Sequence, residues 1–158
     1  MMKKFKIFGL CFVLVLTMFM VTGCGSKNVE GKLEDIMDKL YADIAEDNRP
    51  GGLGNMEVNA ENVESFIGTN KVEYTEAIAS ESMMGSIAHS VVLLRVKDAS
   101  KIEEYKEEIR ENVNPRKWVC VGVEKDEVII ENKGDLLVVI IVQDKDNRQK
   151  IADAFNNL

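Results

Sequence analysis

The sequence predicts an α+β domain: a mostly antiparallel sheet of about five strands with N-terminal helices and two strand-turn-helix units, in the order α-α-β-β-α-β-β-β-α. Three observations predict it. Apolar residues recur at helical spacing just beyond residue 28. Short β-branched runs then alternate with short polar connections. Two of those runs, 91–96 and 138–142, each pass through an acidic turn into a helical pattern.

Leu33, Ile36, Met37, Leu40, Ile44 and Ala45 share one helical face, so residues 29–46 read as an amphipathic helix. It stops before Asn48-Arg49-Pro50-Gly51-Gly52-Leu53-Gly54, a breaker-rich loop. A short helix follows, with Asn59 as N-cap, Val63, Phe66 and Ile67 turned to the core, and Gly68 as its stop. Strands are expected over 71–80 and 90–97. Ser100 with Glu103 has the spacing of a capping box, and Ile102, Tyr105, Ile109 and Val113 form the stripe of the next helix, which Pro115 ends.

Three strands are expected next, over 117–124, 127–131 and 136–143, joined by short turns as an antiparallel meander. The last, apolar on both faces, should be central and covered on both sides. The final helix, 145–156, should dock Ile151, Ala152 and Phe155. The two strand-turn-helix units suggest two equivalent helices on one sheet face.

The first 23 residues have the three parts of an export signal: Lys3, Lys4 and Lys6, then an apolar run from 7 to 21 broken only by Gly9 and Thr17, then small Gly23. That run is nearer an export h-region than the roughly 20 residues of a spanning helix. Val21-Thr22-Gly23-Cys24 resembles the lipobox of bacterial lipoproteins. The resemblance implies that the Cys24 thiol takes a diacylglyceryl group, that the chain is cut before it, and that acyl chains such as palmitate anchor the protein. The expected organisation is a signal peptide (1–23), a short tether (24–28) and a single acidic α+β domain (29–158).

Cleavage changes the charge the function must be read from. The chain has 20 basic and 27 acidic residues, and residues 1–23 hold three of the lysines and no acid. The remainder carries 17 against 27, a net charge of −10. Nucleic-acid binding requires a basic footprint, so no nucleic-acid partner is expected. An anionic leaflet would repel such a domain, so lipid rather than electrostatics must do the anchoring.

Few side chains suggest chemistry. Cys120 is the one cysteine left after Cys11 and Cys24, so no intramolecular disulfide is available, and strand alternation predicts a buried thiol there. His89 is the single histidine. A triad with Ser80, Ser82 or Ser86 can be drawn, but a solvent-exposed His at a strand start is the favoured reading. Asp144-Lys145-Asp146-Asn147 lacks the later ligands and glycine of a calcium loop, and helix N-capping is the better reading. Gly51-Gly52-Leu53-Gly54 lacks the Lys-Ser/Thr of a phosphate loop. Met56, Met83 and Met84 are expected to fill core gaps rather than bind copper. Glu103, Glu104, Glu107, Glu108 and Glu111, with Lys106 and Arg110 between them, read as a solvated helix face.

The layout as a whole, a lipobox, an early Leu/Ile-rich helix, a strand ending in Val96-Lys97-Asp98 before a charged helix, and a last strand with an acidic turn before a helix carrying Phe155, resembles the small clostridial-type (Gram-positive) lipoproteins built on an uncharacterised domain of unknown function. The resemblance implies an α+β fold and an address on the extracytoplasmic face of the cell membrane. It implies no activity.

The leading expectation is therefore a lipid-anchored, non-catalytic binding domain at the cell envelope. It would meet a protein or peptide partner through an exposed sheet edge or the 49–55 loop. No cofactor, metal or catalytic residue is expected. The alternatives are a small-molecule or lipid-binding module, which needs an apolar pocket, and an envelope hydrolase.

Overall fold

The structure, a computed structural model, describes residues 28–158. The expected signal peptide, Cys24 and most of the expected tether lie outside the described residues. Four helices and five strands follow in the order α1 (Leu33–Leu40), β1 (Leu53–Glu57), α2 (Val63–Ile67), β2 (Tyr74–Ser82), β3 (His89–Val96), α3 (Ile102–Asn112), β4 (Ile129–Lys133), β5 (Leu136–Val142) and α4 (Lys145–Asn156). The α+β class holds, and every neighbouring pair in the sheet, ordered β1-β2-β3-β5-β4, is antiparallel.

All seven residues of β5, Leu-Leu-Val-Val-Ile-Ile-Val, are buried. Side chains alternate across a strand, so a run apolar at every position must be covered on both faces. Leu136, Val138, Ile140 and Val142 join the cluster built by α1 and α4, whereas Leu137, Val139 and Ile141 join the one built by α2 and α3. Burying each such side chain is worth about 1.5–3 kcal/mol relative to leaving it exposed. The sheet is thus the middle layer of three.

Several expectations are corrected. The equivalent strand-turn-helix units do not place their helices on one face: α3 and α4 lie on opposite faces. The first helix is shorter than 29–46, because the chain after Leu40 tightens into i to i+3 bonds, Tyr41 to Asp38, Ala42 to Lys39 and Ile44 to Tyr41. Arg49 caps that end by donating to the carbonyls of Tyr41 (2.8 Å) and Ile44 (3.0 Å). Within the expected breaker-rich loop, residues from Leu53 onward form a strand that pairs with Ser82–Ile78.

The strand expected over 117–124 is absent, so the meander is a single β4–β5 hairpin. That segment folds back on itself instead. Val123 N–H donates to the Pro115 carbonyl (2.9 Å), Arg116 pairs with Glu124, and Gly122 lies so close to Pro115 and Arg116 that a Cβ would meet the Pro115 oxygen at 2.9 Å. Ser100 does not box with Glu103. Its backbone N–H and its hydroxyl both donate to Asp98, at 3.0 and 2.6 Å, and a 3-10 turn leads into α3. Asn59 opens the turn before α2 rather than capping the helix, while Gly68 ends it at φ 81° as expected.

Candidate functional site

Both ends of the sheet carry features that bear on function. At the end where the chain arrives from residue 28, a groove of about 1150 Å³ opens beside β1 and β2. Leu53 packs with the α1 cluster and Met56 with the opposite one, so alternation points Asn55 and Glu57 to the α1 side, where Leu33 and Glu34 form the facing wall. Ile78 and Glu76 of β2 lie alongside, and Asn59, Asn70, Thr75 and Lys97 share the lining about equally with apolar groups such as Val58, Val63 and Val72.

The groove's charge is negative. Glu76 is held by Arg95 at 2.7 Å, and Glu73 lies 3.7 Å from Lys101. Glu34 and Glu57 have no ion-pair partner among the described residues, and Lys97 is the one cation of the lining. Arg95 also fixes the incoming chain, donating to the carbonyls of Val29 (2.7 Å) and Gly31 (3.0 Å) while lying 3.4 Å from Asp135. This guanidinium links Val29 and Gly31 to Glu76, which lines the groove.

Among the described residues no strand pairs with the outer edge of β1. Gly52 accepts from Met83 N–H and Val58 donates to the Ala77 carbonyl, so the even-numbered backbone groups of this segment face β2. Antiparallel geometry then turns the N–H and C=O groups of Leu53, Asn55 and Glu57 outward. Of these, only the Glu57 carbonyl finds a partner among the described residues, the Asn62 side-chain amide at 3.1 Å. The opposite edge is tied down instead. Lys106 of α3 reaches Asn132, and Lys133 donates to the Asn156 and Leu158 carbonyls.

His89 is corrected from exposed to buried, at 2 % exposure. Its Nε2 lies 2.7 Å from the Tyr41 hydroxyl, which is also buried and within hydrogen-bond reach of Ser80. Burial pulls the imidazole down to about 4, opposed by the nearby Asp144 carboxylate. The same burial raises the Tyr41 phenol, with Ser80 and Arg49 acting against it. Ser82 bonds instead to the Gly51 carbonyl, at 2.8 Å. Among the described residues no hydrogen bond joins Ser80, Ser82 or exposed Ser86 to His89: its Nε2 is engaged by Tyr41, and Ser80, at 1 % exposure, is closed to substrate.

At the far end of the sheet, Met83 (72 %) and Met84 (49 %) are exposed, as is Val119 (71 %), which correct the expected core methionines. Met56 alone packs partly into the core. Cys120 is exposed, not buried, and holds a left-handed φ of 61° at the tip of the folded-back loop. That loop is pinned from beneath. Lys117 pairs with Glu81 at 3.0 Å, both largely covered, and its ammonium lies over the rings of Phe66 and Trp118. Burial lowers the Lys117 ammonium, which Glu81 opposes.

Asp144 caps α4 as expected, accepting from Asn147 N–H at 2.8 Å. The α3 carboxylates are laced by Lys106–Glu103 and Arg110–Glu107 pairs. Glu108 departs from that solvated face. It accepts from Thr69 (3.0 Å) and Lys71 (2.9 Å), whose bonds hold its carboxyl below the ordinary range. Among the described residues no cluster of His, Cys, Asp and Glu is arranged to hold a metal ion, and no helix is long and apolar enough to cross a membrane. No protein-family model, curated protein or solved structure matches the chain.

Asn55, Glu57, Glu34 and the β1 edge escaped the sequence reading, which named the 49–55 stretch only as a loop. Their one advance signal was the alternation of Leu53 and Asn55 with Gly54 and Met56, diluted by Gly and Asn.

Proposed function

We propose that this protein is a lipid-anchored binding domain of the bacterial cell envelope, held at the extracytoplasmic membrane face by acylated Cys24 and meeting its partner without catalysis. On this reading it is one of the small clostridial-type lipoproteins its layout resembles. The observation that carries the proposal is the groove at the sheet's β1 edge. It is open, lined by polar and apolar groups about equally, and at the end of the sheet where Arg95 holds the incoming Val29. The residues between Cys24 and Asn28 span roughly 15 Å at full extension. A groove at that end is therefore kept near the membrane, within reach of a partner on its surface.

A small-molecule or lipid module is the weaker reading, because ligand pockets of that kind enclose their ligand in an apolar lining. Here the groove is open, and Asn, Thr and Glu side chains make up about half of its lining beside Leu33, Val58 and Ile78. A hydrolase reading loses its one histidine to the buried pair with Tyr41.

Two measurements test the proposal. Cells fed an alkynyl palmitate analogue should label the native protein and not Cys24→Ala; label on the variant refutes the anchor. A photo-crosslinking side chain at Asn55 should give discrete adducts in intact cells, whereas one at exposed Glu104 on α3 should not. Equal adducts at both positions, or none at Asn55, refute the groove as the binding surface.

A further inference from the structure

We infer that β1 takes an extended, lysine- or arginine-bearing peptide as a sixth strand of the sheet. The inference deepens the proposed binding function and rests on it. Its first support is the row of outward backbone groups on Leu53, Asn55 and Glu57, which only the Asn62 amide partly answers. Exposed edges template strand addition, and proteins block them with proline, lysine, bulges or cover. The β1 sequence, Leu-Gly-Asn-Met-Glu, has no proline or lysine, and its register with β2 runs unbroken. β4, the other edge, carries Lys133, whose ammonium donates to the Asn156 and Leu158 carbonyls, and its Asn132 side chain accepts from Lys106. A lysine thus marks the β4 edge, and none marks β1.

Charge selects the occupant. A strand added beside β1 sends alternate side chains to the α1 side of the sheet, where Glu34, Glu57 and Glu73 outnumber Lys97. Cationic side chains at those positions would meet the unpaired carboxylates of Glu34 and Glu57 in a partly enclosed groove, and acidic ones would be repelled. A second copy of this chain fits poorly. Pairing β1 with itself about Asn55 sets Leu53 opposite Glu57, brings no cation, and joins two domains of net charge −10.

Proline at position 55 separates backbone pairing from other contacts. It removes an outward N–H and projects its ring at the incoming strand, while Gly54 and Met56 keep their bonds to β2. Asn55→Lys is a second, milder variant, since Asn55 is exposed and the substitution only opposes the groove's charge.

The test uses the full lipidated chain in neutral detergent micelles and fluorescein-labelled synthetic peptides that alternate lysine, or glutamate, with valine. Anisotropy should rise saturably with the basic peptide, at least about tenfold tighter than with the acidic one. Asn55→Pro, with an unchanged circular dichroism spectrum, should weaken that binding by about tenfold or more. Asn55→Lys should weaken it as well and lessen its salt dependence. Absence of saturable binding, equal affinity for the two peptides, or native affinity in both variants overturns strand addition. So does a dimer that Asn55→Pro abolishes. Crosslinks from a photo-crosslinking side chain at Glu34, on the facing wall, that survive in an Asn55→Pro background would leave the groove reading standing while strand addition fails.

Discussion

Acidification from pH 7 to about 5 should destabilise this protein through the buried imidazole of His89. In the unfolded chain the imidazole titrates near 6.5, and in the fold burial holds it down to about 4. Above the unfolded value both states are neutral and stability is flat. Between the two values the unfolded state binds a proton that the folded state refuses, so stability falls with falling pH. Below about 4 the folded imidazole protonates too and the dependence levels off. At 1.36 kcal/mol per unit the full window is worth about 3 kcal/mol, and about 2 kcal/mol is already lost by pH 5. The lowered carboxyls of Asp98, Glu108 and Glu127 lose their contribution only on further acidification, so they leave this interval clear. Urea denaturation followed by Trp118 fluorescence at pH 7, 6 and 5 measures the loss directly. In His89→Gln the amide oxygen can accept from the Tyr41 hydroxyl without titrating, so the variant's stability should be flat across the interval. Parallel pH slopes in the two proteins would refute the assignment to His89.

The pair beneath the folded-back loop should behave as a covered ion pair: Lys117→Met strands the Glu81 carboxylate and costs about 3 kcal/mol, and adding Glu81→Gln should recover part of that loss in a double-mutant cycle. Gly68 combines φ 81° with a site where a Cβ would sit 2.2 Å from the Asn112 oxygen, so Gly68→Ala should cost at least about 2 kcal/mol by urea denaturation. Cys120 should react with Ellman's reagent in the native state at the rate of an accessible thiol; protection lifted only by denaturant would contradict its exposure.

What the sequence made legible was whatever local pattern decides. A run apolar on both faces can only be a covered central strand, and β5 is one. Asp144 three residues before Asn147 marks the start of α4, and the Gly68 stop needs no tertiary partner. The misreadings fall where distant contacts override local preference. Leu-Gly-Asn-Met-Glu becomes a strand because β2 offers it an edge, whereas Val119 and Val121 belong to a loop that Lys117–Glu81 and Val119–Gly85 bonds hold over the sheet. His89 was read as exposed because a strand start gives no hint of Tyr41, which lies 48 residues earlier and closes over it. The two strand-turn-helix units look alike locally, yet which face a helix covers depends on where the chain goes next. α3 must carry it to β4 beyond β5, while α4 ends the fold beside α1.

These tertiary decisions give the sheet two unlike ends. Asn28 lies against Gly134, and Arg95 ties Val29 and Gly31 to the end of β3, the same end that carries the groove's Glu73 and Lys97. Met83, Met84 and Val119 cluster around the start of β3, eight residues away. At about 3.3–3.4 Å per residue the two ends are separated by roughly 27 Å. With Cys24 acylated, the tether would hold the first end toward the membrane and leave the apolar cluster facing away from it. A domain of net charge −10 feels repulsion from an anionic leaflet only within about a Debye length, ~8 Å at physiological salt. On the proposed anchoring, tether length and repulsion would act together: the lipid would hold the domain down while its charge kept the groove clear of the headgroups. A membrane-proximal partner with basic residues would be drawn to the leaflet and to the groove by charges of the same sign, so strand addition at β1 would have to compete with the membrane for that segment.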